Sequence, residues 1–166
     1  MEKSSFAGGC FWGVEHAFKQ LKGVISTQVG YQGGDPKDAN YRDVCSGKTG
    51  HAEAVLVEFN PKVITYERLL DAFFMMHDPS QLNRQGPDIG EQYRSALFPR
   101  DDQQKKLATS YITKRQNEGH AITTTIEQGH DFIAAEAEHQ NYLDSTPGGY
   151  CHIGFDVFSK LKRGEF

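Results

Sequence analysis

The run Ala52 to Phe59 constrains this chain more than any other stretch, because its alternation commits it to a strand with two distinct faces. Ala52, Ala54 and Leu56 share one face, while Val55, Val57 and Phe59 share the other with Glu53. A carboxyl group therefore sits on an apolar face. Burying a charged carboxylate without a partner is expensive. Two alternatives stay open for Glu53: a neutral acid that can donate a hydrogen bond at neutral pH, or an edge residue whose carboxylate reaches solvent or an arginine.

Elements of both periods flank this strand. Ser5-Phe6-Ala7 reads as a short strand that runs into Gly8-Gly9, and Val14, Ala17, Phe18 and Leu21 form the stripe of a helix opening near Cys10 to Gly13. Gly23 closes that helix, Val24 to Tyr31 reads as a strand, and Gln32-Gly33-Gly34-Asp35-Pro36 as a turn that starts a long loop to His51. Thr65 caps a helix striped by Tyr66, Leu69, Leu70, Phe73 and Phe74, which Pro79 ends. After a second loop, Asp78 to Glu91, the pattern predicts a strand at Gln92 to Phe98 and a helix capped by Asp101 or Asp102. It then predicts a strand at Ala121 to Ile126 and a helical stretch through Phe132, Ala135, His139 and Leu143. From Pro147 onward no period survives. The expected fold is α+β, a two-layer sandwich of a mixed sheet with helices in a ferredoxin-like plait. A long coil tail follows, and the whole forms one domain over residues 1–166.

Composition narrows the function classes. The 166 residues carry 18 Lys and Arg against 22 Asp and Glu, a net charge of −4, with no basic run to follow a phosphate backbone, so nucleic acid is not an expected partner. No apolar window is long enough to span a bilayer and no export signal opens the chain, so a soluble, cytoplasmic, monomeric protein is expected. The three cysteines, Cys10, Cys45 and Cys151, form no Cys-x-x-Cys pair, and a reducing compartment with reactive thiols fits them.

Gly9-Cys10-Phe11-Trp12-Gly13 is the most unusual local sequence. It puts the sole tryptophan two residues from a cysteine at a helix start, where free backbone N–H groups and the helix dipole favour thiolate. Buried packing is the competing role for Cys10 and its aromatic neighbours, but the flanking glycines, which let another molecule approach, favour a nucleophile. His51-Ala52-Glu53 matches the front of a zinc-deaminase signature, yet no Pro-Cys-x-x-Cys follows, so zinc is rejected and no metal is expected. Tyr41, Tyr93 and Asp88 lie in or beside the long loops, where each taken singly is a turn or packing residue. Cys151 stands in a glycine-rich tail that could reach a distant sulfur, and Cys45 reads as structural or idle.

Taken together, Gly9 to Gly13, Gly30-Tyr31-x-Gly33-Gly34, Tyr41-Arg42-x-Val44-Cys45-Ser46-Gly47-x-Thr49-Gly50-His51-Ala52-Glu53, His77-Asp78-Pro79 and Gln92-Tyr93-Arg94-Ser95 resemble peptide-methionine sulfoxide reductase of the A type. The likeness runs in order from Phe6 to Cys151, with Pro87 and Glu91 departing from the Asn and Thr of the family pattern. It implies a thiol reductase acting on the S epimer of methionine sulfoxide, free or in oxidised proteins. Cys10 would attack the sulfoxide sulfur and become a sulfenic acid, and Phe11 and Trp12 would hold the substrate methyl group. Glu53 would donate to the sulfoxide oxygen, with Tyr41 and Tyr93 as further donors and Asp88 polarising the site. Cys151 would condense with the sulfenic acid to a disulfide that thioredoxin reduces. No metal or organic cofactor is implied. The competing classes are a cysteine hydrolase with a histidine base and a module that binds methionine without chemistry. Neither needs a cysteine in the tail.

Overall fold

A computed structural model describes residues 1–34, 40–128 and 131–166. Four strands carry the sheet: β1 (Glu2–Gly8), β2 (Val24–Gln32), β3 (Ala52–Phe59) and β6 (Ser95–Phe98). β1 pairs antiparallel with both β3 and β6, and β2 pairs antiparallel with β3. The short strands β7 (Thr125–Ile126) and β8 (Ile133–Ala134) extend the edges, β7 parallel to β6, to give the order β7-β6-β1-β3-β2-β8. The sheet is mixed, as its expected class requires. Helices α1 (Phe11–Lys19) and α3 (Tyr66–Met76) connect its strands in the βαββαβ order of a ferredoxin-like plait.

The packing follows the alternation. Val55, Val57 and Phe59 of β3 join Phe6, Val29, Phe11, Phe18, Leu69, Leu70 and Phe73 in the main core. The opposite face is lined by small residues, Ala7, Ala52, Ala54 and Ala96, with Phe98 and the partly covered Phe132. Fully burying each such Phe or Leu stabilises by about 1.5–3 kcal/mol, so one core of this size dominates the fold. Helix starts obey their caps: Thr65 accepts from the Arg68 N–H, and Asp101 accepts from the Gln104 N–H to open α4 (Asp102–Asn117).

Several expectations are corrected. The long first loop contains a short helix, α2 (Tyr41–Cys45), capped by Asn40, and the expected turn at Gln32 to Pro36 lies partly outside the described residues. The second loop folds into a hairpin of β4 (Arg84–Gln85) and β5 (Asp88–Ile89). Glu91–Tyr93 is a 3₁₀ turn, so the strand expected from Gln92 begins only at Ser95. Of Ala121 to Ile126, only Thr125–Ile126 pairs with the sheet. The stretch read as one final helix is instead β8, a 3₁₀ turn at Ala137–His139 and α5 (Tyr142–Ser145), because Asn141 is left-handed and Gln140 bonds to the edge strand. The tail is coil from Pro147 to Gly154, but Phe155–Lys162 forms α6, which buries Leu161 in the main core.

At the end of α3, His77 is buried. Its Nδ1–H donates to the Phe73 carbonyl at 2.6 Å, so its Nε2 accepts from the Ser95 hydroxyl at 2.8 Å, which in turn accepts from Thr124. Burial lowers the His77 pKa to about 4. The unfolded chain takes up this proton near pH 6.5 and the folded chain only near 4, so stability is lost as pH falls across that window, by about 3 kcal/mol at most. Denaturant titrations of wild type and His77→Gln from pH 7 to 4 are expected to show this slope only in wild type. Parallel curves would contradict it.

Candidate active site

β1 ends at Gly8, and Gly9, at φ +101°, turns the chain so that Cys10 becomes the cap residue of α1. The thiol sits over the end of β3 and is 6% exposed. The backbone N–H of Trp12 hydrogen-bonds its sulfur, the helix-start effect expected from sequence, but burial dominates and the charge of Glu53 adds to it. The Cys10 pKa is therefore pushed well above the ordinary thiol value. The expectation of a resting thiolate is corrected: the thiol is protonated.

Glu53 is 1% exposed, on the apolar face that alternation assigned to it. The backbone N–H of Phe11 donates to its Oε1 at 3.1 Å, and Oε2 has no hydrogen-bond partner among the described residues. Burial raises its pKa to about 8, against the Phe11 bond, which lowers it. At neutral pH the carboxyl is uncharged and can donate from the oxygen left over. The same N-terminus of α1 thus supports both the thiol and the acid.

The remaining candidates gather here from separate elements. Asp88, in β5, accepts from the Tyr150 hydroxyl at 2.8 Å, and its charge acts on both Cys10 and Glu53. The hairpin pairs Gln85 with Asp88, so Pro87 occupies its turn without disrupting it. Tyr93 ends the 3₁₀ turn, and burial, aided by the charges of Glu53, Cys45 and Asp88, keeps its phenol protonated. Tyr41 opens α2; its hydroxyl donates to the Cys45 sulfur, so Cys45, exposed at the other end of the helix, is the phenol's resting partner rather than idle. Phe11 is fully buried with its ring near those of Tyr31 and Tyr41, and Trp12 is half-buried beside it. His51, rejected as a zinc ligand, accepts the Gly34 N–H at 3.2 Å.

Cys151 is brought onto α1 by the folded tail, where the neighbouring His152 ring bonds the Gly8 carbonyl at 3.0 Å. A Cβ on Gly13 would lie 2.7 Å from the Cys151 sulfur, so the glycine leaves the space that the thiol occupies one turn from Cys10. Residues that the sequence reading missed complete the site. Tyr142 stacks on Trp12 at 3.9 Å, His139 accepts its indole N–H at 3.2 Å, and Tyr150 holds Asp88. Tyr150 adjoins Cys151 in sequence, a signal that could have been used; His139 and Tyr142 were hidden by the mistaken helix.

A ferredoxin-like sheet places a buried thiol and a buried acid at the start of α1, and the tail packs a second thiol against the same helix, an arrangement that fits an oxidoreductase. The chain belongs to the peptide methionine sulfoxide reductase family, whose model matches residues 2–165. Peptide methionine sulfoxide reductase MsrA of Methanothermobacter thermautotrophicus is 48% identical over 155 residues, covering 92% of each chain. Reduced Mxr1 from Saccharomyces cerevisiae superposes with a TM-score of 0.83 at 40% identity, over 90% of this chain and 88% of that one. Mxr1 in complex with Trx2 matches at a TM-score of 0.57 and 32% identity, over 85% and 84%. The activity of this family is methionine sulfoxide reduction. No helix among the described residues is long and apolar enough to cross a membrane.

Gly13→Ala is expected to displace Cys151 without weakening α1, since alanine favours a helix over glycine by about 1 kcal/mol. Alkylation by iodoacetamide, followed peptide by peptide, is expected to run several-fold faster at Cys151 than in wild type. An unchanged rate would mean that the glycine does not seat this sulfur.

Proposed function

We propose that this chain reduces the S epimer of methionine sulfoxide, free or in oxidised proteins, as a single monomeric domain over residues 1–166. The observation that carries the proposal is the buried Glu53 oxygen beside the Cys10 thiol, left without a hydrogen-bond partner among the described residues. Sulfoxides place a polar oxygen next to a small apolar methyl group. The site offers a neutral acid for the first, with Tyr41 and Tyr93 as further donors and Asp88 polarising them, and aromatic walls at Phe11 and Trp12 for the second.

In the first step the Cys10 sulfur attacks the sulfoxide sulfur, and negative charge grows on the sulfoxide oxygen. Glu53 gives that oxygen its proton, and the proton lost by the thiol returns to Glu53. The hydroxyl then passes from the substrate sulfur to the Cys10 sulfur, so the substrate S–O bond and the transient bond between the two sulfurs both break, methionine leaves and Cys10 is a sulfenic acid, oxidised by two electrons. Keeping the resting thiol protonated protects it from oxidants until a substrate arrives to receive the proton. In the second step the Cys151 sulfur displaces the hydroxyl of the sulfenic acid as water, forming a Cys10–Cys151 disulfide. A thioredoxin dithiol then reduces it, a partner supported by the family neighbour solved with Trx2. Thiols supply every electron, so the chemistry calls for no metal or organic cofactor.

Single-turnover assays on each epimer are expected to give no methionine from Cys10→Ser and about one equivalent per enzyme from Cys151→Ser, which should lose thioredoxin-supported turnover. Glu53→Ala should lose on the order of a hundredfold or more in rate, and Glu53→Gln less, because an amide still donates. Wild type should slow as pH rises through about 8, where Glu53 becomes charged and repels the oxygen, whereas Glu53→Gln should show no such fall. Wild-type rates from the alanine variant would sink the donor role.

A further inference from the structure

The space beside the two glycines that flank the thiol turn, Gly9 and Gly13, is filled from the far end of the chain. A Cβ on Gly9 would lie 3.0 Å from Nε2 of His152 and 2.9 Å from Cγ of Gln85. One on Gly13 would lie 2.7 Å from Sγ of Cys151 and 3.6 Å from Cε1 of His152. The His152 ring therefore lies along the start of α1, with Nε2 over Gly9 and Cε1 over the glycine that seats the Cys151 sulfur. The openings read from sequence as access for another molecule are occupied by the chain's own tail.

The two ring nitrogens are unequal. Nε2 lies 3.0 Å from the carbonyl oxygen of Gly8, where β1 ends, and a carbonyl only accepts, so Nε2 carries the proton. Nδ1 is buried and has no hydrogen-bond partner among the described residues. Burial lowers the His152 pKa, against the Gly8 bond and the charge of Asp88, so the ring is neutral at neutral pH and Nδ1 is unprotonated. Leaving a polar atom buried and unpaired is costly. If only shape mattered here, an apolar side chain would fill the place without that cost. What the ring supplies is the bond from Nε2 to Gly8.

The neighbouring contacts are weaker or one-sided. Tyr150 holds Asp88 by a hydrogen bond exposed to competing water, and the Cys151 sulfur accepts the N–H of Ile153 at 3.3 Å. Ile153 is buried in the main core and fixes the tail on one side of the sulfur. His152 stands between that anchor and the thiol.

We propose that His152 is a positioning residue for the resolving step: its ring, bound through Nε2–H to the Gly8 carbonyl, holds the Cys151 sulfur over Gly13, one helical turn from Cys10. The proposal rests on the reading in which Cys151 resolves the Cys10 sulfenic acid. In that step the Cys151 sulfur bonds to the Cys10 sulfur, the S–O bond breaks, and the hydroxyl leaves with the Cys151 proton as water, so no outside electrons are needed. A sulfur held beside its partner meets it at a high effective concentration. The docked sulfur is near enough for its charge to act on Cys10. His152 takes no part in sulfoxide reduction itself, so its loss should lengthen the life of the sulfenic acid and leave methionine formation alone.

Partitioning of that sulfenic acid tests the proposal. Reduced enzyme is given methionine sulfoxide without reductant and with a fixed concentration of dimedone, which captures the sulfenic acid in competition with Cys151. The ratio of adduct to disulfide, read by mass spectrometry, does not depend on how fast the first step runs. His152→Leu removes the donor at similar bulk, and His152→Gln keeps one, since its amide nitrogen reaches as far as Nε2. The leucine variant is expected to raise the ratio about 2- to 10-fold, the usual worth of one hydrogen bond, at an unchanged rate of methionine formation. The glutamine variant should recover most of the difference. Without sulfoxide, iodoacetamide should alkylate Cys151 several-fold faster in the leucine variant than in wild type. In wild type at neutral pH, long-range ¹H–¹⁵N spectra of the histidine rings should show His152 as the Nε2–H tautomer.

An equal or smaller ratio in His152→Leu than in wild type, or equal changes in both variants, would overturn the positioning role, as would unchanged alkylation of Cys151. A wild-type ring protonated on Nδ1 would overturn it without any variant. Equal adduct yields from wild type and Cys151→Ser would instead refute the resolving role of Cys151, while the alkylation rate and the tautomer would still report whether His152 seats that sulfur.

Discussion

The backbone N–H of Phe11 holds one oxygen of Glu53 at 3.1 Å, and the site is arranged around the oxygen that this bond leaves over. A carboxyl buried among Val55, Val57 and Phe59 would be expensive as a charge, and one backbone donor does not offset that cost. The inexpensive state is the neutral acid, anchored at one oxygen and free to donate from the other. The donor is an α1 N-terminal amide, which has no partner within the helix, so the geometry of the acid is set by the same turn that sets the thiol. Two chain segments far apart in sequence are thereby brought to one place by a single fold decision, the pairing of β1 with β3.

That decision also explains what holds Cys10 in check. A thiol at a helix start is usually expected to ionise readily, and the Trp12 N–H does act in that direction. Burial outweighs it, because one backbone donor cannot replace the hydration that a thiolate loses. The resting pair is then thiol and acid, two protons and no charge, which suits the uncharged sulfoxide of the proposed reaction. Cys151 completes the economy of space: it occupies the room left by the missing side chain of Gly13, and the tail that carries it is anchored by α6 and by His152.

What was legible in the sequence were the elements whose pattern matched their packing. Ala52 to Phe59 alternates because its two faces meet different layers, so both the strand and the odd position of Glu53 could be read directly. Thr65 and Asp101 announced their helices through side chains that satisfy free N–H groups. The segment from Phe132 to Leu143 was misread because its apolar spacing suits a helix, whereas Gln140 and Glu15 spend their polar atoms on strand and turn partners far away in sequence. Helix α6 does leave a trace, since Val157, Phe158 and Leu161 fall at i, i+1 and i+4 and pack against the main core, but the helix spans only Phe155–Lys162 and follows a glycine-rich coil. Of the candidate site, the thiols, acid and aromatic pair stand out in the sequence, whereas His139 and Tyr142 lie in that misread segment and Tyr150 lies beside Cys151 in the coil.

The central claim is that Glu53 is a neutral acid in the folded protein, and titration of its side-chain carboxyl by ¹³C NMR, assigned against Glu53→Gln, tests it most directly. A midpoint near pH 8 is the expected result. A midpoint in the ordinary carboxylate range near 4.5 would contradict it and remove the proton donor from the site.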